Sequence, residues 1–278
     1  MVDPAPPVRA ALAQATAALM EVSPTARLDA ELLMAHALGI SRSAMLLDAL
    51  ECEVPVAFKA LVARRLRHEP IAHLTGMRGF WTIDLEVGPG ALVPRADSET
   101  LIEAAVAHFA ETAGPFNILD LGTGPGTLLL AALDQWPAAR GLGVERSAAA
   151  RGYAQRNVAR LGMAARAHVI GGDWATAVAG QFDLVFSNPP YVADADCLPR
   201  EVADYDPAEA LFGGEDGLDA YRLIVPALPD LIAPGGIAVL EIGATQGDAV
   251  SEMVRAAGLV PSLRCDLGDR ARAVVARH

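Results

Sequence analysis

From residue 98 to the C-terminus, short apolar runs alternate with segments of helical periodicity, and this pattern restricts the possible folds more than any other feature. Repeated strand–helix units predict an α/β fold with a mostly parallel sheet covered on both faces, and ligands then bind beyond the carboxyl ends of its strands. The predicted strands are residues 116–121, 141–145, 167–170, 182–187 and 237–242, followed by an antiparallel closing pair at 261–267 and 271–276. The predicted helices between them are residues 101–111, 126–133, 147–161, 217–231 and 246–257.

The region before residue 76 follows a different pattern, because its apolar residues recur only at helical spacing. Residues 8–68 predict a bundle of four or five short helices, without an evident catalytic cluster. In residues 79–87 apolar and polar side chains alternate, and Gly88-Pro89-Gly90 follows directly. This pattern predicts a β-hairpin. The predicted organisation is a helical domain at 1–75, a hairpin linker at 76–97 and an α/β domain at 98–278.

The composition limits the function classes. Of 278 residues, 53% are hydrophobic and 20% are charged, which is typical of a globular protein. The formal net charge of −12 would repel a phosphate backbone, so we expect no direct nucleic-acid binding. Three widely separated cysteines favour a reducing compartment over disulfides, and no apolar run reaches the roughly 18 residues of a membrane span. The alanine-rich stretch 10–20 is more typical of a helix than of a signal peptide, so we expect a cytoplasmic monomer without membrane contact.

A glycine-rich segment, Asp120-Leu-Gly-Thr-Gly-Pro-Gly, follows the first predicted strand of the α/β part and opens a helix. Glycine lets a backbone turn tightly and approach a ligand closely, whereas Pro125 suits a first helical turn. Several nucleotide-binding classes share such a turn. The residues predicted to bind a cofactor here are Gly122, Thr123, Gly124, Pro125 and Gly126.

Polar and aromatic side chains follow the next two predicted strands. Glu145 ends the second strand, where a carboxylate can accept both hydroxyls of an adenosine ribose. Asp173 and Trp174 follow the third strand, and we expect them to contact the edge and the face of an adenine. These features fit either a dinucleotide or S-adenosylmethionine.

The tetrapeptide Asn188-Pro-Pro-Tyr, directly after the fourth strand, decides between those cofactors. Two prolines fix the backbone, so the Asn188 side-chain carbonyl and the Pro189 carbonyl can act as paired acceptors for a planar –NH2 group. Tyr191 adds a flat face for stacking. The predicted catalytic residues are Asn188, Pro189 and Tyr191, with Pro190 completing the substrate site and Asn188 also touching the cofactor.

This tetrapeptide resembles that of the amino-methyltransferases, which methylate exocyclic or amide nitrogens with S-adenosylmethionine. From about residue 28 to the end, the chain resembles more narrowly the bacterial release factor glutamine N5-methyltransferases, the HemK or PrmC proteins. The segments that carry this resemblance are Leu28-Asp-Ala-Glu-Leu-Leu, His36-Ala-Leu-Gly, Glu69-Pro-Ile-Ala-His-Leu-Thr-Gly, Phe80-Trp, Val93-Pro-Arg-Ala-Asp-Ser-Glu-Thr, Ala210-Leu-Phe-Gly-Gly-Glu-Asp-Gly-Leu, Glu241-Ile-Gly and Gln246-Gly.

The resemblance implies a class I S-adenosylmethionine-dependent methyltransferase fold, Rossmann-like, behind a helical domain that docks the protein substrate. It also implies that the cofactor is S-adenosylmethionine and that the target is the glutamine in the Gly-Gly-Gln loop of peptide chain release factors. The sequence departs from the family pattern at Ala96 (usually proline), Pro125 (serine or a small residue), Glu145 (aspartate) and Asp206-Pro207-Ala208 (Glu-Pro and a larger residue). None of these departures removes a group that the chemistry requires.

Other functions stay open on the residues alone. A ribosomal-protein glutamine methyltransferase would use the same Asn188 chemistry, and only the resemblance of the first domain favours release factors. An N6-adenine DNA or RNA methyltransferase would hold a flipped base in the same tetrapeptide, but the acidic charge and the missing basic groove oppose it. A nicotinamide oxidoreductase would leave the tetrapeptide without a role, and a binding module without catalysis would not need both motifs.

Overall fold

The computed structural model describes residues 7–176 and 178–278. The helices are α1 (Val8–Leu19), α2 (Ala26–Leu38), α3 (Arg42–Asp48), α4 (Val56–Arg65), α5 (Ile71–Thr75), α6 (Glu99–Phe109), α7 (Thr127–Gln135), α8 (Ala148–Arg160), α9 (Arg200–Ala203), α10 (Asp219–Ile224), α11 (Leu228–Leu231) and α12 (Gly247–Ala256). The strands are β1 (Met77–Phe80), β2 (Ile83–Glu86), β3 (Asn117–Leu121), β4 (Arg140–Glu145), β5 (Ala167–Gly171), β6 (Phe182–Ser187), β7 (Ile232–Glu241), β8 (Val260–Cys265) and β9 (Ala271–Arg277). Single 3-10 turns occupy Ala96–Ser98, Ala208–Ala210 and Val225–Ala227.

The described residues form two compact units. The first contains the described residues up to Gly76 together with Pro199–Tyr205, and the second contains Met77–Leu198 and Asp206–His278. None of the helices at 7–176 and 178–278 has both the length and the apolar character needed to cross a membrane.

The first unit is the predicted helical bundle, with α1 to α5 around an apolar core that includes Leu12, Leu33 and Met34. Gly39 ends α2 in the left-handed conformation, as expected at a helix C-terminus. The sequence pattern gave no sign of α9, which belongs to this unit because Glu201 pairs with the buried Arg65.

The second unit begins with the hairpin of β1 and β2, which pair antiparallel. The prediction of a hairpin is correct, but the chain reverses at Trp81 and Thr82 and not at Gly88-Pro89-Gly90. Trp81 takes the positive φ of 54° that this tight reversal needs, and its backbone N–H donates to Glu99 at 2.9 Å. Such a conformation is uncommon outside glycine, so the sequence pointed to the glycines.

The rest of the second unit is a seven-stranded sheet in the order β5-β4-β3-β6-β7-β9-β8. The strands from β5 to β7 are parallel, and β9 and β8 close the sheet antiparallel, as predicted. The strand order reverses direction beside β3, which pairs with β4 on one side and β6 on the other. The carboxyl ends of these three strands therefore border the crevice where an open parallel sheet binds ligands.

The predicted single helix at 217–231 is wrong in detail. The chain there forms α10, a 3-10 turn at Val225–Ala227 and α11. Pro226 and Pro229 explain the break, because each lacks the N–H that would continue the α-helical hydrogen bonds and its ring collides with the preceding turn.

Candidate active site

A cavity opens at the carboxyl ends of β3, β4, β5 and β6. Most of the residues predicted as site residues line it, namely Gly122, Thr123, Gly124, Pro125, Glu145, Asp173, Trp174, Asn188 and Pro190. Three others, Gly126, Pro189 and Tyr191, lie directly beside these in sequence but do not line the cavity. Chain segments from 90 to 98 and from 207 to 210 also contribute to the lining.

The glycine turn, residues 122–126, joins β3 to α7 as predicted. The backbone N–H groups of Gly122 and Thr123 both donate to the Val144 carbonyl, at 2.9 and 3.0 Å, which ties the turn to β4. Gly122, Gly124 and Gly126 all have positive φ, and a Cβ at Gly126 would lie 2.8 Å from Leu130. A Cβ at Gly124 would meet nothing within 4 Å, so this residue presents bare backbone to the cavity.

Asp120 lies beneath the turn at the end of β3. Its Oδ2 accepts hydrogen bonds from Thr123 Oγ1 at 2.6 Å and from the Leu129 N–H at 3.2 Å. Its buried Oδ1 has no partner among the described residues. Burial raises the pKa of Asp120 to about 7. Asp120 was not predicted as a site residue, although an acid that ends a strand at a glycine turn is a usable signal.

Glu145, at the end of β4, points its carboxylate at the same turn. Its Oε2 accepts the Gly124 N–H at 2.8 Å, and its Oε1 accepts the Ser147 N–H at 2.7 Å. Ser147 also caps α8, as predicted, by accepting the Ala150 N–H. Each carboxylate oxygen has a second acceptor position, so Glu145 can hold its place through the backbone and still bind ligand hydroxyls.

Trp174 follows β5 and packs across the glycine turn. A Cβ at Gly122 would lie only 3.0 Å from Trp174 Cζ3, so a side chain at position 122 would crowd the tryptophan ring. Trp174 is half-buried with a positive φ of 47°, and the adjacent Asp173 is exposed at the rim. The ring therefore lines the cavity and also packs against the sheet core.

Asn188 follows β6 and is half-buried. Its Nδ2 donates to Ser98 Oγ at 3.3 Å. Because the amide nitrogen faces Ser98, the side-chain oxygen of Asn188 is the atom that can accept a hydrogen bond from a ligand. Asn188 itself lines the cavity. Pro189 is buried and Pro190 reaches the cavity wall.

Tyr191 ends the tetrapeptide and turns its hydroxyl inward. The hydroxyl donates to Glu241 Oε1 at 3.3 Å, while the Tyr191 carbonyl accepts from Gln246 Nε2 at 2.9 Å. Burial, and then the charge of Glu241, raise the pKa of Tyr191 above its ordinary value. Its predicted role as a stacking face stays a prediction.

Arg95 and Asp206 form an ion pair at the cavity that the sequence did not predict. The Arg95 guanidinium pairs with the buried Asp206 carboxylate, which also accepts the Val93 N–H at 3.3 Å. Asp206 and Pro207, which depart from the family pattern as Pro125 and Glu145 do, are therefore at the site too, since Asp206 anchors Arg95 and Pro207 lines the wall. Among the described residues, no group of three His, Cys, Asp or Glu side chains is placed to hold a metal ion.

Two protein-family models match the chain, and they follow the same order as the helical and α/β regions. Residues 10–76 match the PrmC N-terminal domain and residues 98–203 match the methyltransferase small domain. A methyltransferase structure from Pyrococcus furiosus has a TM-score of 0.52 and 21% identity, over 77% of this chain and 95% of that one. The 16S rRNA N2 G1207 methyltransferase from T. thermophilus, solved with AdoMet and guanosine, has a TM-score of 0.51 and 18% identity, over 72% and 49%. At these identities the likeness shows the fold alone.

Sequence relatives are much closer. A release factor glutamine methyltransferase from Rhodospirillum rubrum is 45% identical over 258 residues, which cover 91% of this chain and 79% of the relative. A second relative of the same description, from Cereibacter sphaeroides, is 42% identical over 90% of both chains. The match spans both units and includes the glycine turn and the tetrapeptide, so the chain belongs to the family of release factor glutamine methyltransferases.

Proposed function

We propose that this protein transfers a methyl group from S-adenosylmethionine to the N5 side-chain nitrogen of the glutamine in the Gly-Gly-Gln loop of peptide chain release factors. The description of its relatives supports this target. The observation that carries the proposal is the orientation of Asn188, whose amide nitrogen is bound to Ser98 so that its oxygen remains to accept a substrate N–H.

The residues of the cavity suit S-adenosylmethionine. Gly124 offers open backbone to the cavity, and Asp120, which also lines it, has an Oδ1 without a partner among the described residues. We assign the ribose of the cofactor to Glu145 and its adenine to Asp173 and Trp174. The rest of the cofactor is assigned to residues 122–126. When bound, the cofactor supplies an electrophilic methyl group on a sulfonium.

An amide nitrogen is a weak nucleophile, because its lone pair is delocalised into the carbonyl. Asn188 Oδ1 and the Pro189 carbonyl would each accept one N–H of the target amide. Both contacts strengthen as positive charge grows on the nitrogen, so they favour the transition state over the ground state. Holding the nitrogen in line with the methyl group contributes the remaining rate gain.

We also infer that the first unit docks the protein substrate, as part of the predicted division into a docking domain at 1–75, a linker at 76–97 and a catalytic domain at 98–278. Its match to the PrmC N-terminal domain supports this role. No residue of this unit lines the cavity in the part of the chain that the structure describes. A monomer without direct nucleic-acid contact remains our expectation, supported by the net charge of −12.

The test is methyl transfer with purified components. A release factor is incubated with the protein and isotope-labelled S-adenosylmethionine, and the mass of the peptide that carries Gly-Gly-Gln is measured by mass spectrometry. We expect one added methyl group on that glutamine. A release factor whose glutamine is replaced by alanine serves as control, and an adenine-containing DNA duplex and ribosomal proteins are offered as competing substrates. Label only in adenine or in a ribosomal protein would contradict the proposal.

A further inference from the structure

The glycine turn offers no hydrogen-bond donor to an anion. Each backbone N–H of residues 122–126 already donates to a backbone carbonyl or to Glu145, except at Pro125, which has no N–H. The Thr123 hydroxyl donates to Asp120. None of the five side chains is charged. A negatively charged group that lies against this turn therefore needs its donors from another part of the cavity.

S-adenosylmethionine brings such a group with it. Its methionine end is an α-amino acid, which carries an ammonium and a carboxylate at neutral pH. The ammonium can donate to Asp120 Oδ1, which has no partner among the described residues. The carboxylate has no counterpart in residues 122–126, and an unpaired charge that leaves water is costly. The cofactor assignment is therefore incomplete without a cation.

Arg95 is a cation that lines the same cavity. Its Nη2 is paired with Asp206, whose side chain is only 1% exposed, whereas the Arg95 side chain is 37% exposed. Nη2 is the guanidinium nitrogen engaged within the described part of the chain, so Nε and Nη1 keep their N–H groups for a further partner. An arginine of this chain can serve two carboxylates at once, since Arg65 pairs with both Asp29 and Glu201.

The order of the strands places Arg95 at the correct end of the cavity. Trp174 follows β5 and Glu145 ends β4, and the sheet continues with β3 and β6. A cofactor with its adenine and ribose at these two residues extends its methionine end across β3 towards β6. Arg95 is on that side, because its carbonyl accepts the Ser98 N–H at 3.2 Å and Ser98 Oγ accepts the Asn188 amide at 3.3 Å.

We propose that Arg95 binds the α-carboxylate of S-adenosylmethionine and thereby makes the site specific for a cofactor that retains this group. This inference rests on the proposed function and adds a specificity residue to it. The planar guanidinium matches a carboxylate, with which it can form two parallel hydrogen bonds. Because Asp206 already fixes the guanidinium, little side-chain freedom is lost when the ligand binds.

The experiment measures the affinity of the full-length protein for two ligands by calorimetry. One is S-adenosylmethionine, and the other is decarboxylated S-adenosylmethionine, which lacks the carboxylate and keeps the amine. Arg95→Gln should weaken the binding of the complete cofactor by roughly 10- to 100-fold, as the loss of a charge-assisted hydrogen bond does. The affinity for the decarboxylated ligand should change less than about twofold, because the partner of Arg95 is already missing.

Two further variants separate this effect from general charge and from stability. Arg146→Gln removes another arginine that lines the cavity, directly after Glu145 on the ribose side, and should leave the ratio of the two affinities within about twofold of its original value. Arg95→Gln leaves the buried Asp206 carboxylate without its arginine and can weaken the fold. The double variant Arg95→Gln/Asp206→Asn removes both charges and should lose the same preference for the complete cofactor, with its fold checked by circular dichroism.

Three results would overturn the inference. They are an unchanged ratio of affinities in Arg95→Gln and in the double variant, an equal fall of the ratio in Arg146→Gln, and an equal weakening of both ligands. An unchanged ratio would move the carboxylate to the first turn of α7, where Thr127 and Leu128 also line the cavity. Absence of S-adenosylmethionine binding or of glutamine methylation by the unmodified protein would instead overturn the proposed function.

Discussion

The glycine turn and the tetrapeptide face the same cavity but are held in place by different parts of the chain. The turn is held by the two strands beside it, since the N–H groups of Gly122 and Thr123 both bind the Val144 carbonyl, and the Asp120 and Glu145 carboxylates accept hydrogen bonds from Thr123 and Gly124. The tetrapeptide is held by side chains from distant positions, Ser98, Glu241 and Gln246, which are 90, 50 and 55 residues from their partners. The geometry of the turn therefore depends on β3 and β4, whereas that of the tetrapeptide depends on a network of side chains from distant parts of the chain.

This contrast predicts that mutations can affect cofactor binding and methyl transfer separately. Changes in the tetrapeptide should lower the rate of transfer and leave cofactor binding intact. Changes in the turn or in Glu145 should act first on cofactor binding. Four variants test this separation.

Asn188→Ala removes the acceptor that we propose for the substrate amide. Loss of one preorganised contact of this kind costs on the order of 10²–10³ in turnover. The affinity for S-adenosylmethionine should change little, because the glycine turn and Glu145 remain. Calorimetry with the cofactor and peptide mass spectrometry of the release factor measure the two quantities. Near-normal transfer by this variant would refute the role of Asn188.

Gly124→Val places a branched side chain where backbone now faces the cavity. We expect a loss in cofactor affinity of roughly 100-fold, or about 3 kcal/mol, because the side chain fills the space that the ligand needs. Gly162→Val is a close control, since Gly162 has a similar positive φ of 69° and equally open surroundings but does not line the cavity. Equal losses of affinity in both variants would assign the effect to backbone strain.

Glu145→Ala removes the carboxylate that binds Gly124 and, as we propose, the ribose. A charge-assisted hydrogen bond contributes about 1.5–3 kcal/mol, so we expect at least a tenfold weaker affinity for S-adenosylmethionine. The fold should persist by circular dichroism, and the exposed Glu111→Ala variant controls for the lost charge. Unchanged cofactor affinity in a folded Glu145→Ala protein would remove Glu145 from the site.

Asp120→Asn tests the buried acid beneath the turn through stability. The raised pKa of Asp120 means that ionisation opposes folding once the pH exceeds its ordinary value, 3.8, and that this cost grows until about pH 7. The neutral amide should therefore stabilise the variant relative to the unmodified protein at pH 8 but not at pH 4. We expect a difference on the order of 1 kcal/mol, because the amide oxygen binds Thr123 and Leu129 less strongly than a carboxylate does.

Chemical denaturation at several pH values measures this difference. Asp230→Asn, an exposed change on α11, gives the background from losing one acidic side chain. A stability difference that does not grow between pH 4 and pH 7 would show that Asp120 does not ionise with a raised pKa. Either result leaves the assignments in the tetrapeptide unaffected.

The same contrast explains what the sequence could predict. The strand–helix order, the glycine turn and the tetrapeptide are local patterns, and each is found where the sequence predicted it. Ser98 was not recognised as a site residue, because nothing in its neighbourhood reveals a partner 90 residues away. Arg95 was missed for the same reason, since Asp206 is 111 residues further along the chain. The hairpin reversal at Trp81 was missed because its conformation contradicts the preference of its residue type.

The ion pairs of Arg65 affect how such a protein can be recombined. Arg65 has a side chain that is 4% exposed and pairs with Asp29 at 2.7 Å and with Glu201 at 2.8 Å, so the compact unit that contains it is encoded by two separate pieces of the gene. A chimaera that exchanges only the first 76 residues with a relative would combine the helical bundle of the relative with the 199–205 segment of this protein. Grafts between family members should therefore carry both segments together, and sequence changes at positions 29, 65 and 201 should have accumulated in concert.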